Sequence, residues 1–147
     1  MQAKRGFTLV EILIVVVILG ILAAIVIPQF TQASTEAKTN SLCSNLQTLR
    51  SQIELYKVQH NDKVPTLANF EEQMIFCTDI SGTINGTGSK ASDATYCYGP
   101  YLERVPDNPF SGSNSIVDWA TGTDADGWEY NATTGEIRAA TAAHQAY

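Results

Sequence analysis

Glu11 is the residue of this sequence whose type and place most clearly suggest chemistry. It is the one charged residue in the apolar run from Phe7 to Ile27. A charged side chain inside a membrane-spanning helix costs about 2.5–3.5 kcal/mol on insertion scales and is expected to have a partner. No basic residue lies within helical reach of Glu11 inside the run. We therefore expect Glu11 to be neutral or to pair with a cation from another chain.

Residues that could support catalysis are few. His60 and His144 stand beside no candidate nucleophile in the sequence, and we interpret both as surface residues. The glycines in the middle of the chain lack the lysine-serine signature of a phosphate-binding loop. The aromatic residues of the second half are expected in the core and sheet rather than on a base-stacking surface: Tyr96, Tyr98, Tyr101, Trp119, Trp128 and Tyr130. The sequence predicts no catalytic site and no enzyme.

Charge and cysteine content limit the partners. The net charge of −6 disfavours a phosphate-binding surface, so no nucleic acid is expected to bind. The three cysteines form no CxxC pair, which argues against a zinc site. Cys77 and Cys97 bracket a loop, 78–98, rich in Gly, Ser, Thr and Asn. A disulfide between them would contribute about 3 kcal/mol in the chain-entropy model, and pairings that use Cys43 are the alternative.

The apolar run is long enough to cross a bilayer, which takes about 20 residues. Lys4 and Arg5 precede it, and the positive-inside tendency places the N-terminus in the cytoplasm. A cleaved secretory signal is the alternative, but its apolar region is normally about 7–15 residues and ends at a small-x-small site. Such a site is missing at the end of this run. We therefore interpret 7–27 as a transmembrane helix.

An amphipathic helix is predicted over 28–62. Its apolar residues recur every third or fourth position and form one face: Leu42, Leu46, Leu49, Ile53 and Tyr56. Asn61 and Asp62 favour a turn that ends it. The covered face should hold a small globular head, 63–147.

Within the head, a short helix is predicted after a capping Thr66, with Phe70 and Met74 on one face. Three short strands are predicted at 114–119, 127–130 and 136–139, with Gly-rich and Asn-rich turns between them. They would form a small antiparallel sheet that packs on the amphipathic helix, because isolated hairpins are marginal in water. The predicted fold class is α+β.

The segment KRGFTLVE, from Lys4 to Glu11, resembles the processing motif of type IV prepilins and of type II secretion pseudopilins. The resemblance implies a pilin-like fold and a leader, 1–6, that a prepilin peptidase cuts between Gly6 and Phe7. It also implies N-methylation of Phe7. Glu11 would pair with the N-terminal amine of a neighbouring subunit in a helical filament, where the two buried charges compensate each other.

Gly20 and Pro28 also match this family, in which the helix between such residues can melt when subunits pack into a filament. Proline removes one helical hydrogen bond and glycine lowers helix propensity. A simple proline kink in a continuous helix is the alternative.

The head resembles that of major, G-type pseudopilins through the segments at 99–102, 106–110, 127–130 and 134–137. The resemblance implies a filament subunit of type II secretion, anchored in the bacterial inner membrane with its head in the periplasm. Expected partners are an inner-membrane assembly platform and minor pilins or pseudopilins. A surface pilus for adhesion, motility or DNA uptake is the close alternative, and a membrane-anchored enzyme or binding module is a remote one.

Pseudopilins of this type often carry calcium in the loop before the last strands. In this sequence Asp118, Asp124 and Asp126 are the candidate ligands. The family's full calcium loop is not recognisable here, and a solvated Asp-rich turn is the alternative.

Overall fold

A computed structural model describes residues 7–86, 88, 90, 94–96 and 98–147. The helices are α1 (Leu9–Gln59) and α2 (Phe70–Ile75), and the strands are β1 (Ile116–Asp118), β2 (Trp128–Tyr130) and β3 (Ile137–Ala139). Short 3-10 turns occupy Leu67–Asn69 and Ala142–His144. The contacts form two compact units, of which the first ends at Ala37. The second, Lys38–Tyr147, is called the folded unit below.

The apolar face predicted on the second half of α1 is confirmed. Leu42, Leu46, Leu49, Ile53 and Tyr56 are all buried. They join one core with residues from α2, the sheet and the segment before it: Phe70, Met74, Tyr101, Leu102, Val105, Trp128, Tyr130, Ile137 and Ala139. Each buried large apolar side chain contributes about 1.5–3 kcal/mol relative to an exposed one, so this face organises the folded unit.

The end of α1 follows from its turn residues. Asn61 has a φ of 54°, in the left-handed region that asparagine tolerates. The Asp62 N–H donates to Lys57 O at 2.9 Å, which closes the last turn in the manner of a Schellman motif. The turn predicted at Asn61 and Asp62 is confirmed.

The predicted cap at Thr66 is wrong. The Thr66 side chain caps no helical N–H. Instead the Thr66 N–H and hydroxyl donate to Gln73 Oε1, at 2.8 and 3.2 Å. Gln73 in turn donates to Gly82 O at 2.7 Å and is buried. One amide side chain therefore joins the start of this helical segment to the loop that follows it. Phe70 and Met74 are buried, as predicted.

The sheet is mixed, so the prediction of three antiparallel strands is wrong for one pair. β2 pairs antiparallel with β3, whereas β1 pairs parallel with β2. The connection between β1 and β2 makes no hairpin but returns to the start of β1, where the Trp128 N–H donates to Ser115 O at 2.9 Å. A three-residue strand is only about 10 Å long, so a loop can make this return without a crossover helix.

Gly127 allows the returning loop to approach the chain before β1. A Cβ at this position would lie 2.5 Å from Ser113 O and 2.8 Å from Ser115 O, which are both backbone atoms. We expect Gly127→Ala to lower the free energy of unfolding by about 1–3 kcal/mol, because the backbone must move to relieve the overlap. Chemical denaturation of the full chain in detergent micelles measures the change.

Gly86→Ala is the matched control, since nothing lies within 4 Å of a Cβ there. It should leave the free energy of unfolding nearly unchanged. Equal stability of the two variants would contradict the close approach at Gly127.

Candidate functional site

The first turn of α1 is closed by Thr8 and Glu11. The Thr8 N–H and hydroxyl each donate to Glu11 Oε2 at 2.8 Å. The Glu11 N–H donates to Thr8 Oγ1 at 3.2 Å. Thr8 directly precedes the first helical residue, so these reciprocal bonds form a capping box. The box supplies partners for N–H groups that the helix itself leaves unpaired.

The expectation that Glu11 is neutral or paired with another chain leaves out this local partner, Thr8. Thr8 and Glu11 stand three residues apart before an apolar run, which is the sequence signature of a capping box. Among the described residues Glu11 forms no salt bridge, and Oε1 receives no hydrogen bond. Oε2 thus accepts the capping hydrogen bonds at the start of the helix, while Oε1 remains available to a further donor.

The part of α1 at 9–30, called the first half of α1 below, exposes its apolar side chains. Phe7, Leu9 and Phe30 are 81%, 82% and 72% exposed, and the apolar residues between them are exposed as well. An 18-residue window of this helix has a mean hydropathy of 3.3, and none of it is buried. Within the described part of the chain, α1 is the helix that is long and apolar enough to span a membrane. This surface requires a cover of lipid or protein, because water solvates it poorly.

Gly20 and Pro28 both lie inside α1, which continues through them. A Cβ at Gly20 would meet nothing within 4 Å. Just after the proline, the Thr31 hydroxyl donates to Ile27 O at 3.1 Å. The single chain therefore has an intact helix here, and melting in a filament stays a prediction.

Comparison with known proteins assigns the family. Residues 1–27 match the model of the prokaryotic N-terminal methylation motif. A type II secretion system core protein G from Klebsiella pneumoniae is 30% identical over 117 residues, which covers 80% of this chain and 76% of the relative. The chain belongs to the family of type II secretion system core protein G. It is a pilin-like major pseudopilin, as the resemblance implied.

Two other relatives agree with this assignment. The core proteins G of Klebsiella michiganensis and Aeromonas hydrophila are each 31% identical to this pseudopilin. The alignments cover 79% and 75% of this chain, and 75% and 71% of the relatives. No solved structure gave a significant match.

The predicted calcium ligands of this pseudopilin do not converge. Asp118 Oδ1 accepts the Trp119 N–H at 2.9 Å, and Asp124 Oδ1 accepts the Ala142 N–H at 3.0 Å. Asp126 accepts the Thr123 N–H and the hydroxyls of Thr123 and Ser115. Calcium requires six to eight oxygen ligands. No group of three or more His, Cys, Asp or Glu residues in the described ranges is placed to hold a metal ion by such side chains alone. A calcium site in this loop stays a prediction.

The cysteine prediction stays open. Cys43 is exposed, and Cys77 is buried with its Sγ 3.7 Å from Gly99 O. The ends of the 78–98 loop are held together, because Thr78 and Tyr98 exchange backbone hydrogen bonds of 2.9 and 3.2 Å. Cys97 lies outside the described residues, so its pairing with Cys77 remains a prediction that non-reducing peptide mapping can test.

His60 is fully buried, and its interpretation as a surface residue is wrong. Its Nδ1 lies 2.7 Å from Tyr56 O, and its Nε2 lies 2.9 Å from Thr78 Oγ1. Because a carbonyl oxygen only accepts, Nδ1 carries the proton and the Thr78 hydroxyl donates to Nε2. The ring stacks on Tyr56 with centroids 3.8 Å apart. His60 follows Tyr56 by four positions, so the helical spacing that predicted the core face also reaches this histidine.

Asn108 is a second residue whose role the sequence did not reveal. It is fully buried, and its Nδ2 donates to Gly127 O at 2.8 Å and to Thr141 Oγ1 at 3.3 Å. Its Oδ1 accepts the Phe110 N–H at 3.0 Å. One amide therefore joins its own turn, the start of β2 and the segment after β3. In the sequence, 106–110 stands out only through its resemblance to the heads of G-type pseudopilins. No local pattern predicts contacts between segments this far apart in the chain.

Burial of His60 predicts a pH-dependent stability. Burial lowers the pKa of His60 below its ordinary value of 6.5, because the charged ring would lose its hydration. Below about pH 6.5 the unfolded chain binds a proton that the folded chain does not. Stability should therefore be full above this pH and fall as the pH drops toward the lowered pKa. Urea unfolding in detergent micelles, repeated at several pH values above and below 6.5, measures how the free energy of unfolding changes with pH.

His60→Gln should flatten this part of the pH profile. His144→Gln is the control, because His144 is only half-buried and stacks on Phe110 at 3.7 Å between centroids. It should keep the slope of the wild type. A His60→Gln profile as steep as the wild type would show that another group titrates.

Proposed function

We propose that this pseudopilin is first anchored in the inner membrane by 7–27, with its folded unit on the periplasmic side. It then assembles into the filament of a type II secretion system. The observation that carries the proposal is the first half of α1, an exposed apolar helix that begins at a capped carboxylate within a methylation motif. Lipid covers this helix before assembly, and the same segments of other subunits cover it afterwards. The chain acts as a structural subunit and not as an enzyme.

Processing comes first in this proposal. The cut falls between Gly6 and Phe7, and Phe7 becomes the N-methylated first residue. Gly6 lies outside the described residues, while Phe7 is 81% exposed and immediately precedes the capping box. The new amine is therefore created one residue before the Thr8 N–H that binds Glu11.

Assembly then joins Glu11 of one subunit to the Phe7 amine of a neighbour. Glu11 Oε2 can keep its bonds to Thr8 while Oε1 accepts the ammonium group. A carboxylate and an amine are each costly in an apolar filament core and compensate each other as a pair. The spacing of these two groups would fix the axial step between subunits.

The segment between Gly20 and Pro28 is the proposed site of helix melting during assembly. Pro28 has no N–H, so the carbonyl one turn earlier lacks its helical donor. Exposed glycine weakens the same stretch by about 1 kcal/mol relative to alanine. Both residues lower the cost of unwinding there, although the helix is intact in the single chain.

The proposed partners follow from these steps. They are the prepilin peptidase, further copies of this chain in a helical filament, minor pseudopilins and an inner-membrane assembly platform. The folded unit adds no nucleic-acid surface, because its charge is dominated by acidic residues.

Cleavage is tested by intact-mass analysis of the protein isolated from membranes. We expect a chain that begins at N-methylated Phe7, because residues 1–27 match the methylation motif. Gly6→Val should block the cut, since glycine lets the backbone approach the peptidase closely and a branched side chain would crowd the site. Filaments that retain residues 1–6 would contradict the processing step.

Glu11→Ala should strongly reduce filament yield while leaving processing and the folded unit intact. Removal of one partner leaves the neighbour's amine buried and unpaired, which costs about 3–5 kcal/mol for buried pairs. Leader cleavage, membrane content and sheared filaments are compared with the wild type. In the native cell, the variant should also fail to restore export of proteins from the periplasm to a strain that lacks this chain.

Two further variants separate the causes. Glu36→Ala removes an exposed glutamate of α1 outside the apolar run and should assemble normally. Thr8→Val removes the hydroxyl of the capping box but keeps the Glu11 carboxylate, and should reduce assembly less than Glu11→Ala. Normal filaments from Glu11→Ala would mean that Glu11 is not the assembly contact.

A further inference from the structure

The loop between β1 and β2, residues 119–127, is the place where the resemblance puts a calcium ion. Its carboxylates are instead bound to groups of the protein. Asp126 Oδ2 accepts the Thr123 N–H at 2.9 Å and the Thr123 hydroxyl at 2.8 Å. Asp126 Oδ1 accepts the Ser115 hydroxyl at 3.2 Å. These three donors fix the second half of the loop to itself and to the residue before β1.

The first half of the loop is fixed by a buried ion pair. Glu129, at the centre of β2, is 1% exposed. Its Oε2 accepts Arg138 Nε at 2.7 Å and Nη2 at 2.6 Å, across the β2–β3 pair. Its Oε1 accepts the Gly122 N–H at 3.0 Å. The loop backbone therefore closes over a carboxylate whose charge Arg138 balances.

Arg138 also contacts the start of the loop. Its guanidinium carbon lies 4.1 Å from the centroid of the Trp119 ring, a distance at which the cation and the ring attract each other. Gly122 has no room for a side chain, since a Cβ would lie 2.7 Å from Glu129 Cγ and 3.0 Å from the Ala140 Cβ. The guanidinium thus lies between the sheet and the loop, in contact with both.

We propose that Arg138 is the cation that holds the 119–127 loop in place, and that this pseudopilin folds and keeps its structure without calcium. A guanidinium offers several N–H donors in a fixed plane, so it can bind Glu129 while its face covers Trp119. A divalent ion at Asp126 or Glu129 would have to compete with the protein donors that these carboxylates already bind. The inference concerns the folded unit and goes beyond the assembly role of the first half of α1.

The test measures the melting temperature of the full chain in detergent micelles. The wild type is melted in excess EDTA, in millimolar CaCl2 and in millimolar MgCl2, and all three values should agree. Arg138→Gln, melted in EDTA, should lower Tm by about 4 °C or more relative to the wild type. Arg104→Gln is the matched control, since its side chain is 71% exposed and pairs with Asp107 at 3.5 Å. Its Tm should equal that of the wild type.

Two results would overturn the proposal. A wild-type Tm that rises in CaCl2 but not in MgCl2 would show a calcium site. Equal Tm values for Arg138→Gln and Arg104→Gln would show that Arg138 does not hold the loop. If Arg138→Gln fails to accumulate, Arg138→Lys replaces it, and its Tm should lie below that of the wild type because lysine lacks the planar donor group. None of these readouts depends on filament assembly, so the assembly role can fail separately.

Discussion

Burial of one face of α1 is the interaction on which the folded unit depends. Three strands of three residues cannot form a stable sheet alone, and α2 is only six residues long. Leu42, Leu46 and Leu49 give these short elements a continuous apolar surface to pack against. A change that opens a cavity on this face would therefore affect the sheet, α2 and the loop ends together.

The first half of α1 imposes the opposite constraint, because its apolar side chains have no cover in the single chain. A helix of this composition is stable in lipid, where every backbone group is satisfied within the helix except at its ends. The capping box of Thr8 and Glu11 satisfies donors at one end. The Glu11 carboxylate thus satisfies a backbone donor at the start of the helix and also lies at the site proposed for assembly.

Local patterns in the sequence predicted the parts of the fold that depend on local spacing. The α1 face, the turn at Asn61 and the burial of Phe70 and Met74 follow from helical period and turn chemistry. The direction of β1 could not be predicted, because it depends on the path of a loop over the sheet. The role of Asn108 depends on contacts between distant segments. The capping box and the burial of His60 do correspond to local spacing, since Glu11 follows Thr8 by three positions and His60 follows Tyr56 by four.

The buried pair of Glu129 and Arg138 has a consequence for how the strands align. Hydrogen bonds of three-residue strands would be satisfied almost as well if β2 slid by one residue, because every backbone position offers the same groups. Such a slip would turn Glu129 toward the apolar core and would move a large ring to the loop side. The carboxylate would then be buried without its guanidinium, which is strongly unfavourable. Glu129, a single charged residue in the central strand, therefore favours one register of the sheet over the registers shifted by one residue.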